Sequence, residues 1–359
     1  MADINNIDIR ALLKSIAEYK ASDLHLVSRS EPQIRIDGKL TPLDLPKLNG
    51  KTIEDMCYSL ITDRQKKNLE ENKELDFAVE LPNIGRFRAN YYYTMNGEVA
   101  AAFRTIPIKI PSIDELKLPA IFKDIVKKEK GLILVTGPTG SGKSTTLAAM
   151  LNEINLSEEK HIITIEDPVE FIHENKKSLF SHRNVGVDTY SFANGLKYSL
   201  REDPDIILVG EMRDRETIST AITAAETGHL VFGTLHTNSA VQTINRIVDS
   251  FEGGEQVQVR NMLSTSLTAI ISQSLLPKIG GGRVAIQEIL LTNAAVSNLI
   301  RENKIHQLYS QMQLNQMKTG MKTQTQSMIE AIRNNLIDKN TAIRFSTQPQ
   351  ELSNAIGVL

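Results

Sequence analysis

Gly137-Pro138-Thr139-Gly140-Ser141-Gly142-Lys143-Ser144 is the stretch that decides the fold. It matches the pattern G-x-x-x-x-G-K-[ST] at every position. An apolar run, Leu132-Ile133-Leu134-Val135, precedes it, and a helical pattern follows from Thr145 to Ile154. Glycines tolerate positive φ angles, so successive backbone N–H groups can converge on phosphate oxygens, and the start of a helix adds partial positive charge. The pattern predicts a nucleotide phosphate site over Gly137–Thr145.

Two side chains of this stretch carry the expected chemistry. Lys143 is a mobile point charge for the β- and γ-phosphates. The Ser144 hydroxyl can ligand Mg²⁺, a hard cation that prefers oxygen. We therefore expect ATP and Mg²⁺ as the ligands of this loop.

Three further apolar runs follow the loop, and helical patterns lie between them. They are Ile162–Ile165, Ile206–Val209 and Leu230–Leu235. Continuous apolar runs are typical of parallel strands that are covered on both faces. Strands that alternate with helices predict a mostly parallel α/β sheet.

Acidic residues stand directly after two of these strands, where ligands bind in such sheets. Glu166 follows the second run, and Glu211 follows the third after Gly210, which occupies the position usually held by an aspartate. ATP hydrolysis needs a held Mg²⁺ and an aligned water. We expect Glu211 to hold Mg²⁺ through water and Glu166 to polarise the attacking water; a surface or helix-terminal carboxylate is the alternative for each.

Histidines and arginines complete the candidate set. His229 and His236 bracket the fourth strand and could contact the γ-phosphate or an acid, although a purely structural role is the alternative. The alternating stretch Arg86-Phe87-Arg88 directs both arginines to one face of a strand, and Arg104 lies on the next strand. A solvated strand face is the alternative for these arginines.

The first part of the chain reads as a small α+β domain. A helix is predicted around Ile9–Ala17, and short alternating strands follow. Asp37-Gly38 lies between alternating residues and indicates a hairpin. Two prolines in Pro107–Pro111 interrupt regular structure and predict a linker. From about Asn293 onward the pattern is helical and rich in polar residues.

Composition excludes several classes of protein. The 359 residues include 41% hydrophobic and 23% charged residues, which is ordinary for globular domains. The formal charge of −2 argues against a nucleic-acid binder, and the single cysteine, Cys57, against a disulfide framework. With no long apolar run and no signal peptide at Met1–Asn5, we expect a cytoplasmic protein that meets the membrane only peripherally, through a partner.

Three further motifs show a resemblance to a known family. They are Ile165-Glu166-Asp167-Pro168-Val169-Glu170-Phe171, then Leu200 to Asp214, and Thr227 to Thr237. Together with the phosphate loop they resemble the Asp box, Walker B region and His box of the secretion ATPase superfamily. Ser22–Leu26, Phe103–Pro107 and Ile279–Ala285 extend the likeness over almost the whole chain, which is most similar to the retraction ATPases of type IV pili.

The resemblance implies an α/β fold, with a PAS-like N-terminal α+β domain (1–106), a linker (107–115), a RecA-like ATPase domain (116–292) and a C-terminal helical region (293–359). It implies a homo-hexamer that acts on the inner-membrane platform protein of the pilus, at the inner face of that membrane. It also implies that Glu166 is the catalytic glutamate and that Arg88 and Arg104 reach the phosphates.

Two departures from the family pattern are visible. Ser297 replaces an arginine in Ala295-Val296-Ser297-Asn298-Leu299-Ile300-Arg301-Glu302, a motif linked to retraction. Thr94-Met95-Asn96-Gly97 lacks an arginine that many relatives carry. A pilus-assembly or type II secretion ATPase therefore remains an alternative, and a nucleotide-dependent scaffold without turnover is a third. No guanine-binding Asn-Lys-x-Asp motif and no ABC signature is present.

Overall fold

The computed structural model describes residues 8–36, 38–314 and 319–357. These residues form two compact units. The first contains the described residues up to Lys109 together with Asp167–Ile172, and the second contains those of Ile110–Glu166 and His173–Leu359. The prediction that no signal peptide opens the chain rests on Met1–Asn5, which lie outside the described residues.

The first unit is built on an antiparallel sheet of six strands in the order β3-β2-β1-β6-β5-β4. The predicted hairpin between β2 and β3 is confirmed, and Gly38 turns it with φ +83°. Asp37, the other predicted turn residue, lies outside the described residues. The strands are β1 (Asp23–Leu26), β2 (Gln33–Ile36), β3 (Lys39–Pro42), β4 (Glu74–Leu81), β5 (Gly85–Tyr93) and β6 (Val99–Ile106).

Three helices supply the rest of this unit's core: α1 (Ile9–Glu18), α2 (Gly50–Tyr58) and α3 (Asp63–Asn72). Their apolar residues pack with one face of the sheet around Phe87, Tyr91 and Phe103. Along β5 the buried residues alternate with half-exposed ones, among them Arg86 and Arg88. One face of the sheet is therefore a core face, and the other carries the arginines.

The second unit contains a seven-stranded sheet in the order β13-β12-β7-β11-β10-β8-β9. All neighbouring strands are parallel except β12 and β13, which are antiparallel. The predicted mostly parallel sheet is confirmed. The strands are β7 (Gly131–Thr136), β8 (His161–Glu166), β9 (Leu179–Asn184), β10 (Ile206–Val209), β11 (Leu230–Leu235), β12 (Leu267–Pro277) and β13 (Arg283–Leu291).

Alternate residues of the central strands belong to two separate cores. Leu132 and Leu134 of β7 join one cluster, whereas Ile133 and Val135 join the other. Because successive side chains of a strand point to opposite faces, the apolar run is buried on both sides. Helices cover these faces: α4 (Ile121–Ile125), α5 (Lys143–Ser157), α6 (Phe192–Ser199), α7 (Arg215–Thr227), α8 (Ala240–Val248) and α9 (Gly253–Ser266).

The C-terminal part of the second unit is helical, as its pattern predicts. Leu276 of β12 and Ile286 of β13 pack with apolar residues of this region, including Met328 and Leu352, in a cluster of their own. The helices are α10 (Ala294–Arg301), α11 (Leu308–Gln313), α12 (Gln324–Arg333), α13 (Lys339–Phe345) and α14 (Pro349–Gly357).

The compact units differ from the division predicted from sequence in two respects, the first being that the described residues from 293 onward group with the second unit. The second is that Asp167–Ile172 groups with the first unit, where Arg86 Nη1 donates a hydrogen bond to the Glu170 carbonyl at 3.0 Å. The exact domain boundaries stay a prediction. Among the described residues, no helix is both long enough and apolar enough to span a bilayer.

The doubly buried strand β7 provides a stability test. Leu134 is fully buried, whereas Leu156, on α5, is 52% exposed. We expect Leu134→Ala to lower the free energy of unfolding by about 2–5 kcal/mol, because it leaves a cavity. Leu156→Ala is the matched control and should change it by less than about 0.5 kcal/mol. Urea unfolding followed by circular dichroism measures both, and equal small effects would contradict the assigned core.

Candidate active site

The phosphate loop connects β7 to α5, as predicted. Its three glycines have positive φ angles: +143° at Gly137, +78° at Gly140 and +86° at Gly142. A Cβ atom at Gly137 would lie 2.1 Å from the backbone oxygen of Gln273 in β12, so no side chain fits there. Both backbone conformation and close packing therefore require glycine at the start of this loop.

Lys143 and Ser144 stand on the first turn of α5, directly after the loop. Lys143 Nζ donates to the carbonyl oxygens of Gly137 and Pro138, at 2.8 and 3.2 Å. The ammonium thus lies over the loop, and Ser144 and Thr145 are half-exposed beside it. A lysine, hydroxyl groups and a helix N-terminus are brought together here, which is the composition that binds a triphosphate.

Both predicted acids lie at the same edge of the sheet as the phosphate loop. Strands β8, β10, β11 and β7 are consecutive neighbours and parallel, so their carboxyl ends meet at one edge. Val209 pairs with Ile165, which places Gly210 beside Glu166 and Glu211 one residue further. Glu166 is half-exposed, and the Glu211 side chain is 17% exposed.

Close packing accounts for glycine at position 210, which is usually held by an aspartate. Its N–H donates to the Ile165 carbonyl at 2.8 Å. A Cβ atom there would lie 3.1 Å from that carbonyl oxygen and 3.2 Å from the Cα of Glu166. Because these neighbours are backbone atoms, a Cβ atom at 210 would require Ile165 or Glu166 to shift by a few tenths of an ångström. Glycine at this position and the location of the acid are therefore linked.

Glu211 contacts two side chains of the same edge, the imidazole of His236 and the guanidinium of Arg213. Its carboxylate lies 2.9 Å from His236 Nε2, and Arg213 Nε donates to the same oxygen. His236 directly follows β11 and is exposed, as is Arg213. His236 therefore lies beside Glu211, and its role at the site stays a prediction.

His229 requires a correction. It precedes β11, and its carbonyl accepts from the N–H of Gly131 at the beginning of β7, 3.0 Å away. Its Nδ1 lies 3.1 Å from the Ala224 carbonyl at the end of α7. His236 is seven residues further along the chain, or about 23 Å at 3.3 Å per residue. The expectation that both histidines stand beside one site is wrong within this chain, because they mark opposite ends of a strand.

The predicted arginines belong to the first unit, where each has an acidic or carbonyl partner. Arg88 and Arg104 are paired across β5 and β6. Arg88 makes hydrogen bonds with both carboxylate oxygens of Asp76, and Arg104 Nε donates to Asp23 at 2.8 Å. Burial disfavours ionisation of Asp23, but hydrogen bonds from Ser22 and Arg104 hold its pKa below the ordinary value. The two guanidinium groups are thus held on one sheet face, and Arg104 remains 70% exposed.

The donors present fit Mg²⁺. The predicted ligand atoms are the Ser144 hydroxyl and the Glu211 carboxylate, and hard divalent cations prefer such oxygens and keep several waters. Within the ranges that the structure describes, no cluster of three or more His, Cys, Asp or Glu residues forms a separate metal site. The Ser144 hydroxyl and the Glu211 carboxylate are the residues that would hold the ion.

Sequence reasoning missed a group of buried polar residues behind the phosphate loop. Gln273 of β12 and Gln287 of β13 are directly opposite each other and nearly fully buried. Thr136, at the end of β7, contacts Ser272 of β12 through their hydroxyl groups at 2.7 Å. The sequence does contain a signal for these residues, because each glutamine stands inside an otherwise apolar stretch. The hydrophobic periodicity did not predict the two strands that carry them.

Ser297, which replaces a family arginine, has a defined structural role. It lies on α10, and its hydroxyl donates to the carbonyl of Ser264 near the end of α9 at 2.7 Å. The side chain therefore holds two helices together.

The model of the type II/IV secretion system protein family matches residues 2–341. A twitching motility protein of Neisseria gonorrhoeae is 51% identical, over 96% of this chain and 92% of its own length. The type IV pilus retraction ATPase PilT of Pseudomonas aeruginosa is 50% identical, over 96% of this chain and 99% of its own.

Solved structures agree in fold. The crystal structure of the pilus retraction motor PilT with bound ADP superposes with a TM-score of 0.91 at 49% identity, covering 97% of this chain and 100% of that one. The DotB ATPase of Legionella pneumophila gives a TM-score of 0.81 at 28% identity, with 92% and 93% covered. This chain is therefore an ATP-hydrolysing enzyme, and it belongs to the type II/IV secretion system protein family.

Proposed function

We propose that this chain hydrolyses ATP to drive the retraction of type IV pili. The observation that carries the proposal is the shared sheet edge, where the phosphate loop, Glu166 and Glu211 lie together. Identity of about 50% over nearly the full length to a pilus retraction ATPase and a twitching motility protein supports retraction, and not extension, as the direction of the motor.

In the proposed site the phosphate loop holds the β- and γ-phosphates through its amides and Lys143. Ser144 and, through water, Glu211 would hold Mg²⁺, which would supply positive charge against the phosphates. Glu166 orients the water that attacks the γ-phosphorus, and the bond to the β-phosphate oxygen breaks to leave ADP and phosphate. Arg88 and Arg104 supply positive charge to the developing transition state. His236 helps to hold the Glu211 carboxylate in position.

The assembly we propose is a homo-hexameric ring in which the first unit is a PAS-like domain and the second a RecA-like domain. Ordered hydrolysis around the ring would move the platform protein of the inner membrane, and the motor would act at the inner face of that membrane. The C-terminal helices would pass the motion on. A pilus-assembly or secretion ATPase is the competing function, because Ser297 departs from the retraction motif.

Glu166→Gln tests hydrolysis directly. It preserves size but removes the carboxylate that orients water, so we expect kcat to fall by at least about 100-fold with ATP affinity largely kept. Phosphate release by the purified protein is the measurement. Glu159→Gln, which changes an exposed acid just before β8, is the control and should retain turnover. Equal rates for the wild type and Glu166→Gln would leave only a nucleotide-dependent scaffold.

The same variant separates retraction from extension in cells. In cells that carry Glu166→Gln in place of the wild-type chain, we expect abundant surface pili that do not retract. Loss of surface pili would instead indicate an assembly ATPase. Imaging of labelled pili distinguishes these outcomes.

Arg104→Ala tests the arginine assignment. An arginine at a phosphoryl transition state is worth roughly 10³-fold in rate. We expect turnover to fall by about that factor while ATP binding stays within severalfold of the wild type. Arg35→Ala is the matched control, because Arg35 also lies beside Asp23. Wild-type turnover of Arg104→Ala would discard the assignment.

Gly210→Ala tests the link between that glycine and Glu166. The added methyl group would press on backbone atoms of Ile165 and Glu166, and we expect kcat to fall by about tenfold or more. Gly254→Ala, where a Cβ atom meets nothing within 4 Å, is the control and should retain kcat. Turnover and melting temperature are measured for both variants. Unchanged turnover of Gly210→Ala would contradict the link between this glycine and the position of Glu166.

A further inference from the structure

A buried glutamine side chain braces the phosphate loop from behind. Gln273 Nε2 donates to the backbone carbonyl of Ser141 at 2.7 Å. Its Oε1 accepts from the Thr146 hydroxyl at 2.9 Å and from Gln287 Nε2 at 3.1 Å. All four residues are at most 5% exposed. One amide thus joins the loop, the first turns of α5 and the neighbouring strand.

The partners fix the orientation of this amide. The Ser141 carbonyl can only accept a hydrogen bond, so it must face the NH₂ group of Gln273. The opposite side of the amide, its oxygen, then faces two donors. A flipped amide would place oxygen against oxygen, so the observed orientation is the one that satisfies the contacts.

Holding the Ser141 carbonyl also aims the next backbone N–H. The peptide bond is planar and trans, so the C=O of Ser141 and the N–H of Gly142 point in opposite directions. With the carbonyl directed into the buried interior at Gln273, the Gly142 N–H points towards the other side of the loop. That side is half-exposed at Gly142, Lys143 and Ser144.

We propose that Gln273 is a positioning residue for nucleotide binding, which presets the Ser141–Gly142 peptide so that its N–H faces the phosphates before the nucleotide arrives. Gln287 supports it by holding the amide oxygen. A loop that is already oriented does not pay the ordering cost at the moment of binding. The inference rests on the proposed placement of the nucleotide phosphates in this loop.

Packing against the loop strengthens the assignment. A Cβ atom at Gly142 would lie 3.0 Å from Gln273 Nε2, and one at Gly137 would lie 2.1 Å from the Gln273 backbone oxygen. The loop therefore contacts Gln273 through its first and last glycines, as well as through the Ser141 carbonyl. A change at this residue acts on the loop conformation as a whole.

The test compares two buried glutamines. Gln273→Met keeps approximate size and removes the donor to Ser141. Gln324→Met is the matched control, since Gln324 is also buried, on α12, and accepts from the backbone N–H and hydroxyl of Thr347. Titration of fluorescent ADP and ATP analogues with Mg²⁺ measures Kd, steady-state assays give KM and kcat, and thermal melting measures stability.

We expect Gln273→Met to raise Kd and KM by about tenfold or more, the ratio that corresponds to about 1.4 kcal/mol. Gln324→Met should lower the melting temperature by about as much as Gln273→Met does. It should nevertheless leave Kd within about twofold of the wild type. Gln287→Met, which removes only the support, should raise Kd by a smaller factor, about threefold. This variant keeps the proposal testable if Gln273→Met does not fold.

Wild-type nucleotide affinity in folded Gln273→Met or in Gln287→Met would overturn the proposal, as would an equal loss of affinity in Gln324→Met. Lys143→Ala is the reference for the site itself. If Lys143→Ala binds nucleotide as the wild type does, the placement of the phosphates in the loop fails. If Lys143→Ala loses affinity and Gln273→Met does not, only the role of Gln273 fails.

Discussion

The contact between Gly137 and the backbone of β12 is the constraint on which the site depends. The two backbones approach so closely that a single added carbon atom would lie 2.1 Å from an oxygen. This closeness holds the beginning of the phosphate loop against the sheet, and it brings Gln273 within reach of the Ser141 carbonyl. The loop is therefore held from two sides, by β7 from which it emerges and by β12 behind it.

The parallel order of the central strands brings the acidic residues to the same edge of the sheet as the phosphate loop. Because β8, β10, β11 and β7 run in one direction, the residues after each strand gather at one edge without any long-range signal in the sequence. The same order explains the separation of the two histidines. His236 follows its strand and reaches Glu211, whereas His229 precedes that strand and lies at the far edge.

Hydrogen bonds between buried polar residues continue from Gln273 towards the C-terminal helices. Gln273 contacts Gln287, and the backbone carbonyl of Gln287 accepts from the Ser327 hydroxyl on α12. Glu288, the next residue, accepts from the N–H of Ala240 at 2.8 Å, and burial raises its pKa. Buried polar groups are costly unless they are hydrogen-bonded. A continuous path of such bonds therefore connects the phosphate loop to the C-terminal helices.

The sequence by itself determined the phosphate loop, the apolar parallel strands, the acids that follow them and the likeness to a family, because each is written in contiguous residues with local backbone preferences. It did not reveal β9, which is mostly polar, or β12 and β13, in which glutamines interrupt the apolar pattern. Only the tertiary structure decided that His229 lies away from the loop and why residue 210 is glycine. It alone decided that Gln273, more than 130 residues from Ser141 in the chain, holds the loop in place, since contacts between distant strands follow from sheet order and packing and not from local pattern.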